Sequence, residues 1–238
     1  MTPALPKVAP GLVLNVALRQ RKLSDFKLIA FDMDSTLINI ECVDEIAAAA
    51  GRKEEVAAIT EAAMRGDIAD YKASLRARVA LLEGVPVAYL EQVYRERLQL
   101  NPGASQLLAA LRAAGLRTLL VSGGFTFFTD RVRDLLHIDY TRSNVLEIAA
   151  GALTGRMVDQ AWGDICDGEE KRRMLLATCA QLGVRPDQAI AVGDGANDLP
   201  MMGVAGLSVA YHAKPRVREQ AMVAINSGGL DRLLDVLH

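Results

Sequence analysis

The sequence has few residues that bind soft metals. Its 238 residues include only three histidines and three cysteines, the latter at Cys42, Cys166 and Cys179. The cysteines form no Cys-x-x-Cys pair, and the histidines belong to no cluster with metal-site spacing. We therefore expect buried or incidental thiols in a reducing, cytoplasmic environment.

Long hydrophobic runs and a strong charge bias are also missing. No stretch approaches the roughly 18 to 20 apolar residues of a membrane span. Residues 8–18 are mildly apolar, but Pro10, Gly11 and Asn15 interrupt them, so they do not predict a signal peptide. The formal net charge is -2, which is not typical of proteins that bind nucleic acid or anionic membranes non-specifically. We expect neither partner.

Short apolar segments alternate with helical patterns, which predicts an α/β protein with a parallel sheet. The sequence predicts strands at residues 28–31, 116–121, 189–192, 207–210 and 223–225, with a possible further strand at 12–17. Residues 143–148 and 153–158 predict a β-hairpin. Further helices are predicted over 125–136, over 169–182, from near Pro215, and over the tail, 229–237.

Four predicted helices interrupt this alternation directly after the strand at residues 28–31. They cover residues 43–50, 54–64, 71–82 and 87–98. An insertion at this point is typical of a cap over the strand ends. The sequence therefore predicts an N-terminal arm (1–25), a core domain (26–42 and 99–238) and a helical cap (43–98).

The strand at residues 28–31 ends in two carboxylates, Asp32 and Asp34, which leave the sheet in the same direction. Such a pair repels itself unless a cation lies between them or one is protonated. This suggests an anionic nucleophile and a proton carrier. The alternative is a plain polar turn in which Asp34 caps the next helix.

Two other predicted strands end in polar, glycine-rich turns, at Ser122 and at Asp194. Because the carboxyl ends of parallel strands share one edge, we expect all three turns to meet. Asp32, Asp34 and Asp194 would then provide oxygen ligands for Mg²⁺, which typically keeps waters and phosphate oxygens as its other ligands. No histidine or cysteine belongs to this set, which disfavours Zn²⁺.

The same edge has groups suited to a phosphate. Ser122 and the backbone N–H groups of Gly123 and Gly124 are hydrogen-bond donors at a helix N-terminus. Lys171 would spread the negative charge of a transferring phosphoryl group, although its helix position alone favours an ordinary solvated lysine.

These residues together describe aspartyl-phosphate catalysis. Asp32 would attack phosphorus and form an acyl phosphate. Asp34 would protonate the leaving alkoxide and later take a proton from the hydrolytic water. Mg²⁺ would neutralise charge between Asp32 and the phosphate.

The set 32–36 (Asp-Met-Asp-Ser-Thr), 122–124, Lys171 and 193–198 (Gly-Asp-Gly-Ala-Asn-Asp) resembles the four motifs of the haloacid dehalogenase superfamily. Several intervening stretches, at 41–47, 63–66, 74–79, 120–125 and 151–155, are similar to the phosphoserine phosphatase family. The resemblance covers residue 27 to the C-terminus. It implies a Rossmann-like core and hydrolysis of O-phospho-L-serine to L-serine and phosphate, the last step of serine biosynthesis.

The resemblance also implies roles for individual residues. Glu41 would face the substrate ammonium and Arg78 its carboxylate, with Met64 and Tyr71 as pocket walls. Without the family, the preferred interpretations are a first-turn glutamate favoured by the helix dipole for Glu41 and a surface ion pair with a neighbouring glutamate for Arg78.

At the phosphate end, the resemblance puts Asn197 near the metal or the phosphate. Asp198 would orient a metal-bound water or Lys171.

The sequence departs from the family pattern in the cap. The stretch from Met64 to Ser74 is one residue longer, and Tyr71 stands where phenylalanine is common, so Arg76 is a second candidate for the substrate carboxylate. About twenty-five residues precede the first core strand, too few for a regulatory domain. We expect a monomer or homodimer.

Two rival functions follow from the same residues. One is a related phosphatase or phosphotransferase acting on another small phosphomonoester. The other is a phospho-acceptor without turnover, like a receiver domain, although receiver domains lack a carboxylate placed like Asp34 and an inserted cap. A cation pump is excluded because it needs membrane spans.

Overall fold

The fold is organised around one mixed sheet. A computed structural model describes residues 7–15, 21–65 and 70–237. Within these residues the sheet has nine strands in the order β1-β2-β9-β8-β7-β3-β4-β5-β6. The strands are β1 (Lys7–Ala9), β2 (Leu12–Leu14), β3 (Leu28–Phe31), β4 (Arg117–Phe125), β5 (Tyr140–Ala149), β6 (Ala152–Val158), β7 (Ala189–Gly193), β8 (Leu207–Tyr211) and β9 (Val223–Ile225).

The middle of the sheet is parallel, from β9 through β5. The two ends are antiparallel, with β1 and β2 at one edge and β6 at the other. The predicted strand over 12–17 is present as β2, but residues 16 and 17 lie outside the described part. The predicted α/β class is confirmed. The antiparallel pair β5 and β6 is the predicted β-hairpin, whereas the antiparallel pairing of β1 and β2 at the other edge was not predicted.

Strand β3 is continuously apolar because helices cover both faces of the sheet. Ile29 and Phe31 pack in the hydrophobic cluster on one face, and Leu28 and Ala30 in the cluster on the other. All four are fully buried. In register, Phe31 lies opposite Leu120 of β4 and Val192 of β7. The residues that follow these three strands therefore emerge at one edge.

Nine α-helices occur in the described residues: α1 (Cys42–Ala49), α2 (Lys53–Arg65), α3 (Tyr71–Ala80), α4 (Ala88–Glu96), α5 (Ala104–Ala113), α6 (Thr126–Leu136), α7 (Gly168–Leu182), α8 (Leu199–Met202) and α9 (Pro215–Gln220). Of the described helices, none combines the length and hydropathy needed to cross a bilayer.

Helices α1 to α4 lie between β3 and β4 in the chain, and the two segments that connect them to the sheet are joined. Ile38 and Leu100 form an antiparallel bridge, and the Asn39 N–H bonds the Gln99 carbonyl at 3.0 Å. The Asn101 side chain donates to the carbonyls of Thr36 and Ile38. The helical insertion is thus attached through one narrow neck.

Some boundaries differ from the sequence-based expectations. Helix α5 was not predicted, although Leu107, Leu108 and Leu111 repeat at helical spacing and are all buried. Strand β4 continues through the polar turn to Phe125, so α6 begins one residue later than expected. The predicted C-terminal amphipathic helix is a short 3-10 helix, Leu230–Asp235.

Candidate active site

The chain turns sharply after β3. The Asp32 Oδ1 accepts a hydrogen bond from the Met33 N–H at 2.7 Å, which fixes the carboxylate against its own loop. Ser35 has φ = 56°, a left-handed conformation that is unusual for a residue other than glycine. Its hydroxyl donates to Glu41 Oε1 at 2.7 Å. The loop therefore folds back so that the start of α1 lies beside Asp32 and Asp34.

A fully buried lysine lies beneath this loop. Lys171, in the first turn of α7, is 0% exposed, and its Nζ lies 2.8 Å from Asp32 Oδ1 and 2.7 Å from Asp198 Oδ1. Burial alone would lower the pKa of Lys171, but the two carboxylates raise it well above its usual value. Lys171 therefore stays charged, and the alternative of a solvated lysine is wrong.

Asp198 is fully buried and uses both of its carboxylate oxygens. Oδ1 binds Lys171, and Oδ2 accepts the backbone N–H groups of Asp194 and Gly195 at 3.1 and 3.0 Å. A Cβ on Gly193 would overlap the Asp198 carboxylate, so glycine is needed for this close approach. Asp198 thus connects Lys171 to the turn that presents Asp194.

Asp32, Asp194 and Asp198 form an acidic cluster whose ligand oxygens lie within 4.8 Å of one another. Burial, together with the charges of Asp198 and Glu41, raises the pKa of Asp194 to about 7. Burial and Asp198 also raise the pKa of Asp32 well above its usual value, against the opposing effect of Lys171. A hard divalent cation would relieve this repulsion, so the donor set fits Mg²⁺.

Asp34 lies outside that cluster. Its Oδ2 accepts the Cys42 N–H at 3.3 Å and its Oδ1 the Cys42 thiol at 3.1 Å. Asp34 thus also contacts the first amide of α1, as the capping alternative required. Burial, followed by the charge of Glu41, raises the pKa of Asp34 to about 7. The predicted metal ligation by Asp34 stays a prediction.

The end of β4 forms the opposite wall. Ser122 is buried, and its Oγ accepts the Gly124 N–H at 2.8 Å. A Cβ on Gly123 would overlap the Tyr71 hydroxyl, so glycine lets the helical insertion approach this strand end closely. The Asn144 side chain is also buried, and its Nδ2 donates a hydrogen bond to the Gly123 carbonyl at 2.7 Å.

The insertion contributes Glu41, Asp44 and Arg78 to the same region. Arg78 is 14% exposed, and its Nη1 lies 3.7 Å from Asp44 Oδ1. Among the described residues, Arg78 Nε and Asp44 Oδ1 are buried without a hydrogen-bond partner. The predicted alternative of a surface pair with a glutamate is not observed, and Arg78 keeps donor capacity for a ligand.

Arg76 has a different environment. Its Nη2 lies 2.5 Å from Asp164 Oδ2, and Lys72 Nζ lies 2.7 Å from Asp164 Oδ1. Lys72 is also 3.7 Å from Asp167, the N-cap of α7. These ion pairs connect α3 to the segment before α7. Arg76 is paired with Asp164 and does not line the cavity.

Most of these groups surround one cavity of about 950 Å³. Ten predicted site residues line it: Asp32, Asp34, Glu41, Tyr71, Arg78, Ser122, Gly123, Gly124, Asp194 and Asn197. Lys171 and Asp198 are buried beneath the cavity and do not line it. Met64 is in α2, but its side chain lies outside the described part of the structure, as do residues 66–69 of the predicted longer cap loop.

Lys214 also lines the cavity, and sequence reasoning missed it. It follows the end of β8, and its N–H bonds the Asp194 carbonyl at 3.1 Å. The rule that identified three strand ends applies equally to this fourth one. No sequence pattern indicates Asn144 or Cys42, because their roles depend on contacts that form only in the folded chain.

A family model for haloacid dehalogenase-like hydrolases matches residues 26–206. A parallel sheet with an acidic cluster at its carboxyl edge and a helical insertion after the first core strand agrees with that match. The chain belongs to this family of hydrolases.

Similar proteins show which phosphatases within this family the chain resembles. A Polaromonas sp. protein named phosphoserine phosphatase is 78% identical over 231 residues, which are 97% of this chain and 98% of the relative. A protein of the same name from Albidiferax ferrireducens is 72% identical over 229 residues, 96% and 97% of the two chains. A solved structure of a phosphoserine phosphatase as a phospho-aspartyl intermediate analogue has a TM-score of 0.82 at 37% identity, covering 90% and 99%. The resemblance predicted from the motifs is confirmed.

Proposed function

We propose that this chain hydrolyses O-phospho-L-serine to L-serine and phosphate through a covalent phosphate on Asp32. The observation that carries the proposal is the meeting of three strand ends, with Asp32, Ser122 and Asp194, on one cavity that also contains Glu41 and Arg78. The names of the two relatives support the same substrate.

Asp32 is the nucleophile. Its oxygen forms a bond to phosphorus while the bond between phosphorus and the serine oxygen breaks. The Lys171 ammonium at 2.8 Å favours the ionised form that attack requires. Asp198 holds Lys171 in place from the other side.

Asp34 is the general acid and base. A pKa of about 7 means that at neutral pH both protonation states are populated, which suits a group that gives and then takes a proton. Asp34 gives its proton to the departing serine oxygen. It then takes one from the water that attacks phosphorus, and the bond from phosphorus to Asp32 breaks.

The end of β4 binds the phosphate. The Ser122 hydroxyl and the backbone N–H of Gly123 provide donors, and the Asn144 contact to the Gly123 carbonyl fixes that peptide. Asn197, which lines the cavity beside Asp194, adds a side-chain amide.

The insertion recognises the serine part. Glu41 pairs with the ammonium, and Arg78 with the carboxylate, because Arg78 lines the cavity and its Nε has no hydrogen-bond partner among the described residues. The predicted contact with Met64 remains part of the proposal. We propose that residues 43–98 act as the cap and that the neck at Ile38 and Leu100 is its hinge.

Mg²⁺ is the proposed cofactor, held by Asp32 and Asp194, with Asp34 retained as the third predicted ligand. When bound, it supplies positive charge against phosphate oxygens and the carboxylates. Asp198 binds Lys171 and two backbone N–H groups and does not line the cavity, so we assign it to positioning. A cytoplasmic monomer or homodimer remains the proposed state.

The test is phosphate release from phosphoserine by the purified chain, with Mg²⁺ and with a chelator. Asp32→Asn should abolish turnover and covalent labelling, and Asp34→Asn should slow both half-reactions. Asp134→Asn, at an exposed position, is the matched control. The proposal is refuted if kcat/KM is equal for phosphoserine, phosphothreonine and a sugar phosphate, or if Asp32→Asn retains labelling.

A further inference from the structure

We propose that the thiol of Cys42 is a positioning residue for Asp34: together with the Cys42 backbone N–H, it fixes the orientation of the carboxylate that transfers the proton. The inference rests on the proposed function, and it assigns a role to a side chain that does not line the cavity.

Two contacts from the same residue carry the inference. The Cys42 backbone N–H lies 3.3 Å from Asp34 Oδ2, and its Sγ lies 3.1 Å from Asp34 Oδ1. Each oxygen therefore meets a different donor, and together they fix the rotation of the carboxylate plane. Because Cys42 is the first residue of α1, the helix holds both donors in place.

The thiol acts as the donor. When Asp34 is ionised, its carboxylate can only accept hydrogen bonds, so the Cys42 S–H group donates. An S–H group is a weak donor, but this one is 0% exposed, where no water competes for Asp34 Oδ1.

The two oxygens of Asp34 differ in their surroundings. The position that a Cβ would take on Gly124 lies 3.3 Å from Asp34 Oδ2, next to the strand end proposed to bind phosphate. With the thiol on Oδ1 and the backbone N–H on Oδ2, the carboxylate is held with Oδ2 toward that strand end.

The competing explanation is packing, because Cys42 also belongs to a hydrophobic cluster. Cys42→Ala and Cys42→Ser test the two explanations at nearly equal size. If the cysteine only packs, alanine should be tolerated at least as well as serine. If it donates, serine should retain activity and alanine should lose it. Cys42→Val and Cys42→Thr repeat the comparison at a second shape, should the smaller variants not fold.

The expected result is a kcat on phosphoserine about tenfold lower for Cys42→Ala, with KM within about twofold, the effect of one lost hydrogen bond. Cys42→Ser should stay within about threefold of wild type. Cys179, which is buried in the other cluster, provides the controls Cys179→Ala and Cys179→Ser, which should not show this order. Melting temperatures report folding of each variant.

A second readout separates proton transfer from general damage. p-Nitrophenyl phosphate has a leaving group that needs no proton, so Cys42→Ala should phosphorylate Asp32 at the wild-type rate and slow only hydrolysis. A burst of p-nitrophenolate is expected with this variant. Loss of the burst, with equal slowing on both substrates, would overturn the proposal.

Equal kcat for the alanine and serine variants would also overturn it, while the wild-type enzyme remains active on phosphoserine. An inactive wild-type enzyme would instead refute the proposed function, so the two failures are distinguishable.

Discussion

The pKa of Asp194 predicts how Mg²⁺ should stabilise the protein at different pH values. Its folded-state pKa of about 7 exceeds the usual 3.8. A carboxyl group whose pKa is raised on folding contributes stability below its unfolded pKa, and this contribution is lost as the pH rises through the folded pKa. Without a bound cation, stability should therefore fall between about pH 4 and pH 7.

The size of the effect follows from the same values. The difference between 3.8 and about 7 corresponds to about 4 kcal/mol. Asp194 keeps some solvent contact, so we take about half, ~2 kcal/mol. For a chain of this length, each kcal/mol shifts Tm by about 2–4 °C, so a Mg²⁺ concentration that fully offsets this cost at pH 7.5 should raise Tm by about 4–8 °C.

The assay is thermal unfolding of chelator-treated protein in a Mg²⁺ titration at pH 7.5 and at pH 5.0. At pH 5.0 a proton competes for Asp194, so the apparent Mg²⁺ affinity should be about 100-fold weaker. Asp194→Asn should raise the Tm of metal-free protein at pH 7.5 and remove most of the Mg²⁺ response, whereas the exposed control Asp134→Asn should behave as wild type. Equal Mg²⁺ responses at both pH values would refute the reasoning.

Two further variants test the buried lysine and the substrate pocket. Lys171→Met leaves buried carboxylates without their cation. The free energy of unfolding in urea should therefore fall by about 3–5 kcal/mol, and kcat should fall by at least about 100-fold. The control Arg172→Met, on the exposed face of the same helix, should change neither quantity. Arg78→Ala should raise KM for phosphoserine about 10- to 100-fold through lost charge-assisted hydrogen bonds, with no change for O-phosphoethanolamine, which lacks the carboxylate. Arg76→Ala should leave both KM values unchanged, and a rise with phosphoserine alone would exchange the two assignments.

The position of Asp32, Ser122 and Asp194 could be predicted from sequence because a parallel sheet brings the ends of its strands together whatever connects them. A continuous apolar run such as residues 28–31 indicates a buried strand, and the next polar residue then marks the site. The same rule, applied to the end of β8, would also have identified Lys214 as a cavity residue.

Lys171 shows where such reasoning stops. Its helix position did not distinguish a solvated lysine from a buried one, because the difference depends on Asp32 and Asp198 from two other strand ends. The preference for Arg78 over Arg76 depended on the family resemblance alone. Both lie on α3, and only the tertiary position of Asp164 shows that it engages Arg76.

The charges at the phosphate end of the cavity connect metal and substrate binding. Asp32, Asp194 and Asp198 lie within 4.8 Å of one another, and Lys171 is the buried cation between two of them. A phosphate dianion that enters next to these carboxylates meets net negative charge at low dielectric, where like charges repel strongly. A divalent cation on Asp32 and Asp194 would neutralise that charge, so phosphate binding should require the metal to be present first.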